Sequence, residues 1–241
     1  MKTHRTILAM LMFVVSMPLF AQGDDTGLWG ELNIEKKLNK RWTAELGAEY
    51  RNRDDMKTND RFSVGAGVSY KVNNWLKAST GYWLLDDHRF KVNNSGKKYA
   101  DYWGLRHRVH VSLTASQSFG KFTVSLRERW QYTYRPEKTV QRFKSKDDSE
   151  ADEHTFSGKG KNIWRNRLQV KYKATSVFRP YVRAESYVGK GIEKMRYAAG
   201  TEIRIDKHHS FDVMYLYQHL YDNEDDEGDR HILGLGYTLS L

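Results

Sequence analysis

Phe62-Ser63-Val64-Gly65-Ala66-Gly67-Val68-Ser69-Tyr70-Lys71-Val72 alternates without a break. Phe62, Val64, Ala66, Val68, Tyr70 and Val72 share one side, and Ser63, Gly65, Gly67, Ser69 and Lys71 share the other. A period of two marks a strand with one apolar and one polar face, because successive side chains point to opposite sides of a sheet. From Trp42 to Tyr50 the residues Trp42, Ala44, Leu46, Ala48 and Tyr50 oppose Thr43, Glu45, Gly47 and Glu49. The pattern recurs over 103–115, 122–134 and 164–172, and at the C-terminus, where Leu233, Leu235, Tyr237, Leu239 and Leu241 alternate with Gly234, Gly236, Thr238 and Ser240.

Alternation does not say which face points outward, since a lipocalin-like barrel alternates with its apolar face inside. Three features place the apolar face outside. Aromatics cluster near strand ends, with Trp42 and Trp75 just after short connections and Trp103, Trp130, Tyr132 and Tyr134 near long ones, the girdle pattern of a membrane barrel. The polar face mixes Arg and Lys with Gly and Ser, which suits a wet lumen and not a dry core. Short connections near 39–40, 73–74, 116–120, 174–178 and 206–209 alternate with long ones at 52–60, 86–101, 135–161, 189–194 and 222–229. Such asymmetry separates periplasmic turns from extracellular loops in outer-membrane barrels.

The expected fold is all-β: an antiparallel up-and-down transmembrane β-barrel of about 10–12 strands. Strands from Trp42 onward come to ten, an even number with both ends periplasmic. The segment 28–36, with Leu28, Gly30, Leu32 and Ile34 on one face, is then extra, either a lumenal plug or an added strand with an unseen twelfth.

Lys2 and Arg5, the apolar run 7–15 and Leu19-Phe20-Ala21 read as a cleaved export signal over 1–21, followed by a single barrel domain over 22–241. The chain carries 40 basic and 30 acidic side chains, net +10. In an intracellular protein that excess would suggest nucleic acid; export argues against it. The absence of Cys excludes a disulfide framework and a thiolate metal site or nucleophile.

Two stretches resemble a known family. Arg106-His107-Arg108-Val109-His110-Val111-Ser112-Leu113 is one, and the other is Phe119-Gly120-Lys121-Phe122 with the run from Ser125-Leu126-Arg127-Glu128-Arg129-Trp130 to Pro136-Glu137-Lys138. With Gly27-Leu28-Trp29, the turn Leu38-Asn39-Lys40-Arg41-Trp42 and the closing Gly234-Leu235-Gly236-Tyr237, they are similar to domain-of-unknown-function family 2490 over nearly the whole mature chain. The resemblance implies an outer-membrane barrel without an assigned activity, and brings no catalytic residues.

Arg106, Arg108, Arg127, Arg129, Arg165 and Arg167 share the polar parity. If the 116–119 turn aligns Leu113 with Phe122, Arg108 faces Arg127 and Arg106 faces Arg129, and like charges directly opposite destabilise a sheet unless something lies between them. The favoured account is an ion-pair lattice with Glu45, Glu49, Glu185 and Glu202 filling a narrow barrel. The functional account is an anion-binding lumen. The same alignment pairs His107 with Glu128 on the lipid-facing side, by mutual hydrogen bonding near the interface, through a bulge, or as a lateral site for a lipid head group or protein partner.

His110-Val111-Ser112 has the spacing of a lipid hydrolase dyad, but the residues expected opposite, Ser125 and Thr123, cannot orient a catalytic His. The acidic loops, with Asp147, Asp148, Glu150, Asp152 and Glu153 in one and Asp222, Glu224, Asp225, Asp226, Glu227 and Asp229 in the other, lack calcium-loop spacing and read as solvated tips. No metal and no cofactor are expected. The expected role is non-enzymatic: structural, surface-interacting, or a narrow anion-preferring passage in the outer membrane. Outer-membrane lipids and a small anion or lipid head group are the expected partners, and the alternative is a Ser/His lipid hydrolase.

Overall fold

The computed structural model describes residues 25–221 and 228–241. The expected export signal, and the acidic run 222–227, lie outside the described residues. The strands are β1 (Asp25–Lys37), β2 (Trp42–Arg53), β3 (Thr58–Lys71), β4 (Leu76–Val92), β5 (Lys98–Phe119), β6 (Phe122–Arg135), β7 (Lys138–Lys144), β8 (Glu150–Phe156), β9 (Lys159–Tyr172), β10 (Phe178–Val188), β11 (Ile192–Arg204), β12 (His209–Leu220) and β13 (Arg230–Ser240). Among the described residues there is no helix.

Eleven strands close a barrel in the order β4-β3-β2-β1-β13-β12-β11-β10-β9-β6-β5, with β4 pairing β5 to complete the ring. Sequence neighbours pair antiparallel throughout the wall, and β6 pairs β9 directly. The exception is the seam: β1 runs parallel to β13, with Asp25 beside Arg230 and Glu35 beside Ser240. An odd ring of alternating strands must contain one parallel pair. Segment 28–36 is therefore neither a plug nor half of a twelve-strand design. It is an eleventh wall strand, within the expected count, whose chain direction matches that of the last strand.

β7 and β8 lie outside the ring. They form a hairpin inside the expected long connection 135–161, and it leans sideways so that Phe143 and Lys144 pair Tyr99 and Lys98 of β5. The expected loop 86–101 likewise shrinks to 93–97, because β4 and β5 continue pairing as far as Val92 and Tyr99. Four of the five short connections fall where the spacing predicts, and the fifth stays at the same end, so the barrel has a short-turn end and a long-loop end.

One turn is displaced, and it changes the register of β5 on β6. Ser116, Gln117 and Ser118 are strand residues, and the hairpin turns on Gly120 and Lys121 with Phe119 facing Phe122. Gly120 has φ +60°, the left-handed value that a two-residue hairpin needs at its first central position and that Gly adopts without a Cβ clash. Leu113 consequently faces Glu128 and Arg108 faces Thr133. The expected alignments of Arg108 with Arg127, Arg106 with Arg129 and His107 with Glu128 are corrected: His107 faces Tyr134 and its Nδ1 lies 2.7 Å from the Tyr82 hydroxyl. Parity survives, because moving the turn shifted the pairing by an even number of residues.

Outward positions carry the large exposed apolar side chains, among them Leu46, Val64, Leu113, Leu168, Val182 and Leu235. Aromatic pairs bound them. Trp42 with Tyr70 and Phe122 with Tyr172 mark the short-turn end, at ring separations of 4.8 and 4.9 Å. Tyr50, Phe62 and Trp103 mark the long-loop end. This is an outer-membrane-type barrel with its greasy band outside. Inside, Trp83 lies flat across Gly47 and Gly65, where a Cβ on either glycine would strike the indole. Those two glycines let a bulky ring fill a narrow lumen.

Candidate functional site

All six arginines singled out by parity face the lumen, but the register divides them. On β6 and β9, Arg127 faces Arg167 and Arg129 faces Arg165, while β10 sets Glu185 opposite Arg167. Buried Glu185 is the anion of this group: it pairs with Arg127, and both of its oxygens lie 3.1 Å from Arg165 Nη2. Tyr187 donates to it at 3.2 Å. Arg129 donates through Nε to Ser112 Oγ at 2.8 Å.

Arg106 and Arg108 sit nearer the long-loop end, where Asp87 is the organising anion. It is 3 % exposed, and Arg61 donates to it. Arg106 Nε lies 2.8 Å from its Oδ2, a charge contact without hydrogen-bond alignment, and Arg89 lies at 3.6 Å. Arg108 differs, since its guanidinium donates through Nε to neutral Thr133 Oγ1 at 3.1 Å and forms no ion pair with a described residue. Of the expected lattice anions, Glu185 pairs as anticipated and Glu49 holds Arg51 at 2.6 Å. Glu202 holds Lys171 at 2.5 Å near the short-turn end. Asp87 escaped the sequence reading because it fell in a stretch assigned to a loop.

Above these layers a cavity of about 350 Å³ opens among the inward residues of the long-loop end. Of the eighteen side chains around it, twelve are cationic and one, Glu193, is acidic. The cations include Arg51, Arg61, Arg106, Arg108, Arg165 and Arg196, with Arg135, Lys159, Lys161 and Lys194 toward the mouth. Lys161 and Glu193 pair at 3.0 Å. Phe156, at the end of β8, lines the cavity and stacks on Tyr102 at 5.2 Å, so the leaning hairpin contributes one wall. Asp152 clasps that hairpin to β5: Lys98 donates to it at 2.7 Å and Arg142 also donates. These two hydrogen bonds hold its carboxyl below the usual carboxylate range.

A second cavity, about 220 Å³, lies toward the short-turn end with Glu31, Lys171, Tyr181, Arg183 and Asp212 around it. Trp29 belongs to its wall, while Arg51 and Arg196, stacked 3.8 and 4.7 Å from the indole centre, belong to the first cavity. The indole is thus part of the partition between two chambers, gripped by cation–π contacts.

His110 and Ser112 are lumenal and buried. The true neighbours of His110 are Gly81 and Gln131, not Ser125, and those of Ser112 are Ser79 and Arg129, not Thr123. His110 Nδ1 has no hydrogen-bond partner among the described residues, so nothing orients the ring as a base, and a guanidinium already occupies the Ser112 oxygen.

The family model described as "Protein of unknown function (DUF2490)" matches residues 26–229. The chain belongs to the DUF2490 family. No curated protein matches this DUF2490 chain. Among solved structures the DUF2490 barrel is similar to the translocator domain of the autotransporter NalP from Neisseria meningitidis. The TM-score is 0.58 at 12 % identity, over 92 % of this chain and 91 % of that one. It is also similar to the beta domain of the Bordetella autotransporter BrkA, with a TM-score of 0.53 at 16 % identity, over 73 % and 76 % of the two chains. At such identities the likeness is one of fold, and it makes the DUF2490 barrel an outer-membrane-type β-barrel.

Proposed function

We propose that this barrel is an exported, non-enzymatic protein of a Gram-negative outer membrane, with its long loops outside, and that its lumen binds a small anion from the external side. The observation that carries the reading is the charge around the first cavity, twelve cationic side chains against one acidic. Clustered guanidinium and ammonium groups in a narrow lumen repel one another, and an oxyanion between them relieves that repulsion while accepting charge-assisted hydrogen bonds. A mobile anion and the phosphate of a lipid head group share this chemistry.

The partition at Trp29 favours binding over free flow. Conductance in planar bilayers, with the reversal potential measured in a salt gradient, tests passage. Calorimetric titration with inorganic phosphate tests binding, and vesicles bearing phosphorylated lipid test the head-group source. Absence of phosphate binding at low ionic strength together with absence of anion preference would overturn the proposal. The non-enzymatic reading is tested separately: turnover of phospholipid abolished by Ser112→Ala would replace it with hydrolysis.

A further inference from the structure

The corrected register leaves Glu128 on the outer face without the partner the sequence proposed for it. It stands across from Leu113 on β5 and Asn166 on β9, and Asn166 stands across from Ser186 on β10. One outward position further toward the long-loop end, Trp130 faces Trp164, an interfacial aromatic pair. Toward the short-turn end come Leu126 and Leu168, both exposed. Glu128, Asn166 and Ser186 therefore make a polar strip just inside the apolar band.

Three histidines of the outer face have partners. His107 meets Tyr82, and His209 and His231 meet the hydroxyls of Tyr237 and Tyr215. The Glu128 carboxylate hydrogen-bonds no described residue. Asn166 donates through Nδ2 to Ser186 Oγ at 3.1 Å, which leaves its second amide hydrogen and the Ser186 hydroxyl hydrogen to be given elsewhere. The strip thus carries an acceptor at one end and donors at the other. A two-fold axis passing near Asn166 would set each acceptor against the donors of the opposite copy, the reciprocal contact of an isologous interface.

We propose that the wall formed by β6, β9 and β10 is the interface between two copies of this chain in the membrane, Glu128 of each accepting hydrogen bonds from Asn166 and Ser186 of the other. Lipid is a poor occupant by comparison. Acyl chains offer no donor, and head-group phosphates repel a carboxylate. The large exposed side chains beside the strip, Leu113, Leu126 and Leu168, supply the apolar surround that would exclude water and lipid from the polar contacts.

The chain has no cysteine, so single-cysteine variants report proximity cleanly. Oxidation of Leu168→Cys, one outward position from Asn166 on β9 and so next to its own mate across the axis, is expected to give a disulfide-linked dimer in vesicles, and Leu46→Cys on the far wall to remain monomeric. Sedimentation in mild detergent is expected to show a wild-type dimer whose dissociation constant rises about tenfold in Glu128→Leu and less in Glu128→Gln, which keeps an acceptor. Heat-modifiable gel mobility checks that each variant is folded. A monomer at every protein concentration, or cross-linking of Leu46→Cys as readily as Leu168→Cys, would overturn the interface. A dimer unaffected by Glu128→Leu would overturn the role of the carboxylate. None of these readouts involves the lumenal cations.

Discussion

Arg230 Nε lies 2.9 Å from Asp25 Oδ2, joining the first residues of two strands that run in the same direction. The contact fixes the long-loop end of the seam. It also means that β1 enters the wall at the end opposite to that at which β13 leaves it. A tag placed just before Asp25 should be reached by antibody on intact cells, as should one at Ser149, whereas tags after Leu241 or at Asn73 should not. Labelling of both chain ends from the same side would show that the seam is antiparallel or that the barrel lacks β1.

Asp87→Asn should be among the most damaging single changes in the lumen. It leaves Arg61, Arg89 and Arg106 without their shared anion. Breaking a buried ion pair by removing one partner costs about 3 to 5 kcal/mol. A large fall in the temperature at which the folded band is lost on gels is the expected result.

Arg108→Ala should behave in the opposite way. Its hydrogen bond goes to a neutral hydroxyl, so removal strands no carboxylate and relieves repulsion from neighbouring cations. Thermal stability should hold or rise while phosphate affinity falls about three- to tenfold, the loss of one charge-assisted contact. Loss of stability without loss of affinity would make Arg108 a structural residue.

Gly65→Val should destabilise by roughly 1 to 3 kcal/mol, the usual cost of overpacking, because the new side chain displaces the Trp83 indole. Pairing it with Trp83→Ala should recover part of the loss, and strict additivity in that double-mutant cycle would argue against the contact.

The hairpin of β7 and β8 should loosen only in strong acid. Asp152 is held charged by Lys98 and Arg142, so its folded pKa lies below its unfolded value of about 3.9. The stabilisation is then complete above that unfolded value and disappears as pH falls toward the lower folded one. Protease cleavage within 145–149 should be constant from about pH 5 to 8 and accelerate below about pH 4, and Asp152→Asn should show the acid behaviour at neutral pH.

The sequence made the faces of the barrel legible because a two-residue period needs only local information. The inward parity of Arg106, Arg108, Arg127, Arg129, Arg165 and Arg167 follows from it and holds. Register depends on where a turn closes, and polar Ser116-Gln117-Ser118 looked like a turn although it pairs as strand. The strand extensions that carry Asp87 and Tyr102 rise above the apolar band, and there Asp86-Asp87-His88-Arg89 puts polar residues on both faces and interrupts the alternation. The parallel seam joins residues more than two hundred positions apart, and nothing in either segment's own pattern encodes it.

An odd ring also changes what must be moved to build it. Every crossing by the hairpins at the long-loop end is made as a bend, two legs carried together with no free end. β1 has no such companion. If assembly proceeds from the short-turn side, whatever precedes Asp25 must cross the bilayer without a paired leg before the seam can shut. A stably folded domain fused ahead of Asp25 should therefore stall closure, while the same domain fused after Leu241 should ride along unnoticed.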